Sequence, residues 1–205
     1  MDANCEDSPS TWQHLLLCHI SNMRPEPATA TSLLSAALYA ARKHRCQLRK
    51  DKQTPYINHP VGVAELLARV GGISDSATLI AALLHDTLED TDATPEEIEL
   101  LCGAEVLGIV REVTDDKDMP KAHRRRLQVQ RASALSHSAR LIRLADKISN
   151  ITDINTDQPP GWSLQEKLDY LGWAESVIAM IRGTHPALEK LFDDAVAEKR
   201  RLLQA

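Results

Sequence analysis

The chain passes without a break from Leu79-Ile80-Ala81-Ala82-Leu83-Leu84 into His85-Asp86-Thr87-Leu88-Glu89-Asp90-Thr91. No Gly or Pro interrupts the string, so one helix over Asp75 to Asp90 is expected. A helix this apolar must be buried, and it carries an imidazole and three carboxylates with it. At helical spacing His85 stacks over Glu89 and Asp86 over Asp90. Buried carboxylates need a partner, and a divalent cation suits a mixture of imidazole and carboxylate. The string therefore predicts a metal-dependent enzyme. Taken alone, His85-Asp86 would read as a helix-end pair, with Glu89, Asp90 and Asp92 as a solvated last turn.

Two further segments argue against that plainer reading. Thr54-Pro55-Tyr56-Ile57-Asn58-His59-Pro60 presents a second His at a loop-to-helix junction, and Leu141-Ile142-Arg143-Leu144-Ala145-Asp146-Lys147 places Asp146 in another apolar helical run. His59, His85, Asp86 and Asp146 then offer two nitrogen and two oxygen ligands from three helices. That set suits Mn, Fe or Zn better than Ca. Water in the shell of such a metal is acidified. Glu89 and Asp90, one turn beyond the His-Asp pair, are candidates to orient and deprotonate it. The expected reaction is hydrolysis of a phosphoester or phosphoanhydride.

A phosphate substrate calls for cations. Arg42-Lys43-His44-Arg45 and Arg49-Lys50 precede the Thr54-Pro55-Tyr56 turn, and Lys117 and Lys121 follow Thr114-Asp115-Asp116. The run His123-Arg124-Arg125-Arg126 is read first as a solvated helix face, with a phosphate or nucleic-acid contact as the alternative.

At 205 residues the chain suits one ordinary domain, with 43% hydrophobic and 26% charged residues. The net charge of −5 and an aromatic content of 3% speak against nucleic acid as a partner. No apolar run approaches the roughly 18 residues that would span a bilayer. No secretory leader is visible at the acidic start. A cytoplasmic protein with no membrane partner is expected, and a homodimer is the one assembly left open. Cys5, Cys18, Cys46 and Cys102 form no Cys-x-x-Cys pair, so reduced structural thiols are expected rather than a disulfide framework.

Residues 1–30 read as an N-terminal extension, in which Thr11 to Ile20 forms an extra helix or a disordered tail, and 31–205 as the main domain. The latter is helical almost throughout, with helices expected over Ser32 to Arg45, Pro60 to Val70, Asp75 to Asp90, Glu105 to Thr114, Lys121 to Leu135, Ser138 to Asn155, Ser163 to Arg182 and Pro186 to Leu203. A further helix opens at Thr94-Pro95-Glu96-Glu97 with a capping box and ends at Gly103. No segment shows the alternation of a strand. The fold class is all-α, a bundle of about eight to ten helices around a single metal site.

The order His, His-Asp, Asp resembles the HD phosphohydrolase superfamily, and the likeness sharpens over residues 33 to about 190. There the chain is similar to the small alarmone hydrolases, which include the metazoan SpoT homologue and the hydrolase half of bacterial RelA/SpoT proteins. The strings that carry the resemblance are Ala40-Ala41-Arg42-Lys43-His44, Arg49-Lys50-Asp51, Thr54 to Pro60, Ala81 to Thr87, Glu89-Asp90-Thr91, Val113 to Lys117, Leu144 to Lys147 with Asn150, Gly161-Trp162-Ser163, and Tyr170 with Trp173-Ala174. The resemblance implies an HD-domain, Mn-dependent hydrolase that removes pyrophosphate from the ribose 3′ position of the guanine alarmone (p)ppGpp. It implies His59, His85, Asp86 and Asp146 as metal ligands and Glu89 and Asp90 as the water-activating pair. Arg49 would stack on the guanine with Lys50 beside it, and Asn150 and Tyr170 would lie near the ribose and phosphates. Zn or Fe are the lesser metal candidates. The synthetase half of the long bacterial proteins has no counterpart, so degradation alone is expected. The competing reading is a phosphatase for another nucleotide, such as the 2′-phosphate of NADPH. Ser149, where the family often has an aromatic or His, and Glu166, where animal members carry a basic residue, depart from the pattern and bear on the phosphate contacts.

Overall fold

The computed structural model describes residues 30–154 and 162–204. The expected helix or tail over Thr11 to Ile20 lies outside them. The described elements run α1 (Ala30–Lys43), α2 (Asn58–Arg69), α3 (Ser76–Leu84), α4 (Thr87–Asp90), α5 (Pro95–Val113), α6 (Lys121–Arg131), a 3-10 turn (Ala132–Ala134), α7 (His137–Asp153), α8 (Leu164–Ala179) and α9 (Pro186–Gln204). No strand occurs among them, as the absence of alternation predicts. An isolated antiparallel bridge joins Leu48 to Pro55 in the loop before α2. None of the described helices is long and apolar enough to cross a membrane.

The bundle is organised around α3. Its stretch Ser76–Leu84 is apolar on nearly every side, and Ile80, Ala81, Ala82, Leu83 and Leu84 are all buried. A helix without a polar face needs neighbours all round, and α3 packs against α1, α2, α5 and α7. The second spine is α7, which also touches α2, α5, α8 and α9. Leu67, Leu84, Ile98, Ile142, Leu144, Leu171, Leu188 and the chain's one Phe, Phe192, are fully buried between these elements. The core is thus built of branched aliphatics, as the low aromatic content requires.

The helix starts follow from side-chain caps. Asp75 accepts the Thr78 amide at 2.9 Å. Thr94 accepts the Glu97 amide at 3.3 Å while Glu97 accepts the Thr94 amide at 3.0 Å, the expected capping box. Ser163 and Glu166 form a second box at the head of α8. Gly103 takes φ 86 and ψ 167 inside Pro95–Val113, so the helix that starts at Thr94 does break there.

Two expectations are corrected. The helix Asp75 to Asp90 is not continuous. It stops at Leu84, the backbone turns through His85 and Asp86, and the four-residue α4 follows. The Thr87 hydroxyl donates to the Leu84 carbonyl at 2.6 Å and the His85 ring to the Ala82 carbonyl at 2.8 Å, so side chains take carbonyls near the helix end. Cys46 is disulfide-bonded, which overturns the expectation of reduced thiols at that position, whereas Cys102 is free.

Ile142 at the centre of α7 and Thr94 at the head of α5 separate the two kinds of stabilisation. Ile142→Ala is expected to lower unfolding stability in urea by about 2–5 kcal/mol, and Thr94→Ala by about 1 kcal/mol. Equal losses would mean that the core around α7 is not packed as described.

Candidate metal centre

Three elements converge on one point. His59 stands in the first turn of α2, His85 at the end of α3, and Asp146 in the middle of α7. One ligand atom from each lies within 4.8 Å of the others, and all three residues are buried. His59 Nε2 is 3.2 Å from Asp146 Oδ1. Asp86 flanks the trio, with Oδ1 3.2 Å from His85 Nε2 and Oδ2 3.6 Å from His59 Nε2.

The hydrogen bonds of His85 define what this point needs. A carbonyl only accepts, so the 2.8 Å contact to Ala82 O puts the proton on Nδ1. Nε2 is then left buried with no hydrogen-bond partner, facing the carboxylates of Asp86 and Asp146 at 3.2 and 3.9 Å. A lone pair aimed at two carboxylates demands either a second proton or a metal ion. Burial disfavours the imidazolium, but those carboxylates outweigh it and raise the His85 pKa to about 9. Asp146 is held well below the usual carboxylate range. Its burial acts the other way, and the Lys147 ammonium and the two imidazoles overcome it. Two nitrogens and a carboxylate oxygen, with a second carboxylate alongside, fit a divalent cation.

Glu89 and Asp90, both on α4, are brought to the same side. Glu89 Oε2 accepts the Asp115 amide at 3.1 Å and Oε1 lies 3.5 Å from the Arg124 guanidinium. Burial, reinforced by the charges of Asp115, Asp86 and Asp90, nevertheless pushes the Glu89 pKa up to about 7. A carboxylate poised there suits a general base at neutral pH. Asp90 contacts the Lys117 ammonium. The Tyr56 hydroxyl, with one proton, has Asp86 Oδ2 at 2.7 Å and Asp90 Oδ2 at 2.9 Å as alternative acceptors.

The expected nucleotide contacts form a rim beside the trio. Arg49 reaches Asp153 at 2.7 Å and Asn150 Oδ1 at 3.3 Å, and Asn150 donates to Asp146 Oδ1 at 2.5 Å. Lys50 and Lys121 lie 4.8 and 5.6 Å from the centre of the Trp162 ring. Tyr170 packs between Trp162 and Trp173, at 5.8 and 5.3 Å. The stretch before α2 that carries Arg49 and Lys50 is shaped by Asp51, which accepts the amides of Gln53 and Thr54.

Several participants were not legible as such. Tyr56 stands in the Thr54 to Pro60 string, but its carboxylate partners are 30 and 34 residues away. Lys147 follows Asp146 directly, and adjacent helical residues do not normally face each other. Its Nζ lies 4.5 Å from the centre of the Trp173 ring and 2.9 Å from Asp146 Oδ2. Ser149 Oγ, at the position where the sequence departs from the family pattern, is 3.1 Å from His59 Nδ1. Glu166 caps α8 through Ser163. The solvated-face reading of His123-Arg124-Arg125-Arg126 holds for His123 and Arg126 and fails for the other two. Arg124 turns to Glu89, and Arg125 covers Trp173 at 4.8 Å.

Comparison with known proteins gives a consistent result. The HD domain family matches residues 36–168. The guanosine-3′,5′-bis(diphosphate) 3′-pyrophosphohydrolase MESH1 of Xenopus tropicalis is 52% identical over 165 residues, covering 80% of this chain and 92% of the relative. Its Homo sapiens counterpart is 52% identical over 162 residues, covering 78% and 90%. A solved structure described as a metazoan ortholog of SpoT that hydrolyzes ppGpp superposes with a TM-score of 0.80 at 42% identity, covering 85% of this chain and 98% of that one.

The raised Glu89 pKa has a consequence for the metal-free fold. The folded protein keeps the Glu89 proton up to about pH 7, whereas the unfolded chain releases it near 4.5. Stability therefore falls as pH rises from about 4.5 to 7 and stays lower above that range. Glu89→Gln is expected to raise the Tm of the metal-free protein at pH 8 and leave it nearly unchanged at pH 4.5. The same shift at both pH values would remove the buried-carboxylate account.

Proposed function

The chain belongs to the HD-domain family and, within it, to the guanosine-3′,5′-bis(diphosphate) 3′-pyrophosphohydrolases of the MESH1 type, and from that premise we propose how its residues carry the reaction. Water and ppGpp give GDP and pyrophosphate. The observation that supports this reading most directly is the buried trio His59, His85 and Asp146 facing a carboxylate raised to about 7 and bordered by cations.

In this reading His59, His85, Asp86 and Asp146 hold the cation. A divalent metal bound there supplies positive charge to the phosphate oxygens and acidifies a water molecule. The metal we assign is Mn2+, as the resemblance to the alarmone hydrolases implies; the ligand types themselves favour Mn, Fe or Zn over Ca. Glu89 takes the proton from the attacking water. The new bond forms at the phosphorus attached to the ribose 3′ oxygen, and that oxygen leaves with the bonding pair and takes up a proton. The amide of Asp115 and the guanidinium of Arg124 fix the direction in which Glu89 points. Asp90, held by Tyr56 and Lys117, keeps a second carboxylate beside the water.

Arg49 presents its guanidinium plane to the guanine, held in place by Asp153 and Asn150. Lys50, already partly destabilised as a cation by burial and by Arg49 and Lys121, gains from an incoming phosphate. Lys117 and Tyr170 complete the nucleotide contacts. Residues 31–205 are the hydrolase unit in this assignment, with 1–30 as an extension.

Three measurements test it. Chelated protein reloaded with Mn2+ should release pyrophosphate and GDP from ppGpp. Orthophosphate and NADH from NADPH, with ppGpp untouched, would overturn the substrate. Asp146→Ala should lose bound metal and turnover together, and retained metal with full turnover would refute the ligand assignment. Glu89→Gln should keep metal but lose turnover by at least about a hundredfold, the scale of a positioned base. Near-normal turnover would take Glu89 out of the mechanism.

A further inference from the structure

A cavity of about 300 Å³ opens on the other side of α6 from the Trp162 rim, between the end of α5, α6 and α7. It contains none of the metal-centre ligands. Four arginines line it: Arg111, Arg124, Arg131 and Arg143. Arg143 faces Asp115 at 3.4 Å and Arg124 faces Glu89 at 3.5 Å. Arg111 and Arg131 are exposed at its edge, and no described residue pairs with either. Two guanidiniums without an ion partner beside a concave surface of this size offer hydrogen-bond donors to an anion.

The acidic residues of the lining narrow the anion. Glu112, Asp115 and Asp116 border the same cavity. They repel a fully ionised anion and accept a hydrogen bond from one that carries an O–H. A hydrogenphosphate group meets both conditions, since its oxygens accept from arginine and its P–O–H donates to a carboxylate. Sulfate at neutral pH has no such proton.

We propose that this cavity is a second site for a protonated phosphate group, as inorganic phosphate or as the pyrophosphate that the reaction releases, and that its occupation slows turnover. The link to catalysis is direct. Asp115 gives its amide to Glu89 and its carboxylate to Gln128 and Arg143, while Arg124 lies both in the cavity wall and against Glu89. An anion in the cavity competes with Glu89 for Arg124 and shifts the Asp115 loop that orients it. The slowing rests on the hydrolase reading, whereas the binding does not.

The binding arm uses metal-free full-length protein, titrated calorimetrically with orthophosphate, pyrophosphate and sulfate. Either phosphate should bind at least about tenfold more tightly than sulfate, the difference expected of one hydrogen bond to a charged group. The double variant Arg111→Ala, Arg131→Ala should lose that binding by about tenfold or more while its thermal unfolding stays unchanged. Binding unaltered in the variant would place the anion in the catalytic cleft and overturn the proposal. Sulfate binding as tightly as phosphate would overturn the assignment of a protonated group. The relative strength of orthophosphate and pyrophosphate identifies the source. In the activity arm, at saturating ppGpp and buffered free Mn2+, the tighter-binding phosphate should lower kcat in the wild type and leave the variant unaffected. Equal inhibition of both proteins would refute the coupling. A protein inactive on ppGpp would sink the hydrolase reading and leave the binding result standing.

Discussion

The Asp146 carboxylate lies in the middle of an apolar helix, and much of the architecture answers to its burial. An isolated buried charge costs several kcal/mol, and the cost is met only by close, well-oriented partners. Those partners come from separate elements. Lys147 and Asn150 lie on α7 itself, His59 comes from α2 and His85 from the end of α3. Each imidazole is in turn fixed on its other nitrogen, by Ser149 for His59 and by the Ala82 carbonyl for His85. The contacts between α2, α3 and α7 therefore serve two ends, burying aliphatic surface and holding ligand atoms in register. A site built on packed helices in this way is positioned more firmly than one carried on loops.

What could be read from the sequence is what local chemistry decides. The helices follow from apolar spacing and from caps such as Thr94 with Glu97 and the break at Gly103. The converging trio was legible because a His or an Asp inside an apolar run has few structural uses. The break between Leu84 and Thr87 was not, because it depends on Thr87 and His85 taking backbone carbonyls that an unbroken helix would have kept. The Tyr56 bridge, the inward turn of Arg124 and Arg125, and the fold-back of Lys147 were hidden for another reason. Their partners lie far along the chain or, for Lys147, at the adjacent position that a helix normally turns away, and no periodicity encodes such pairings. Cys46 belongs with these, since spacing alone does not reveal a cross-link.

The helix α6 has no fully buried residue of its own, and beside the partial packing of Val129 it is held by what its cations touch. One face sends Lys121 and Arg125 to Trp162, Tyr170 and Trp173, and the Trp173 indole donates to the Arg125 carbonyl at 3.1 Å. The other face lines the second cavity with Arg124, Gln128 and Arg131. A polar helix between two charged compartments is a natural place for electrostatic communication, since its position is set by ion and ring contacts more than by a hydrophobic seam. Glu89 meets this helix at Arg124.

The aromatic residues are few, and that scarcity has an optical consequence. Of the three tryptophans in the chain, Trp162 and Trp173 both belong to the rim beside the metal centre. Each indole has two ammonium or guanidinium groups over it, Lys50 and Lys121 on one, Arg125 and Lys147 on the other. An indole's emission responds to charge beside it, so this pair reports on whatever moves those four cations. The protein thus carries a built-in fluorophore pair beside the candidate metal centre, with one other indole, Trp12, in the chain.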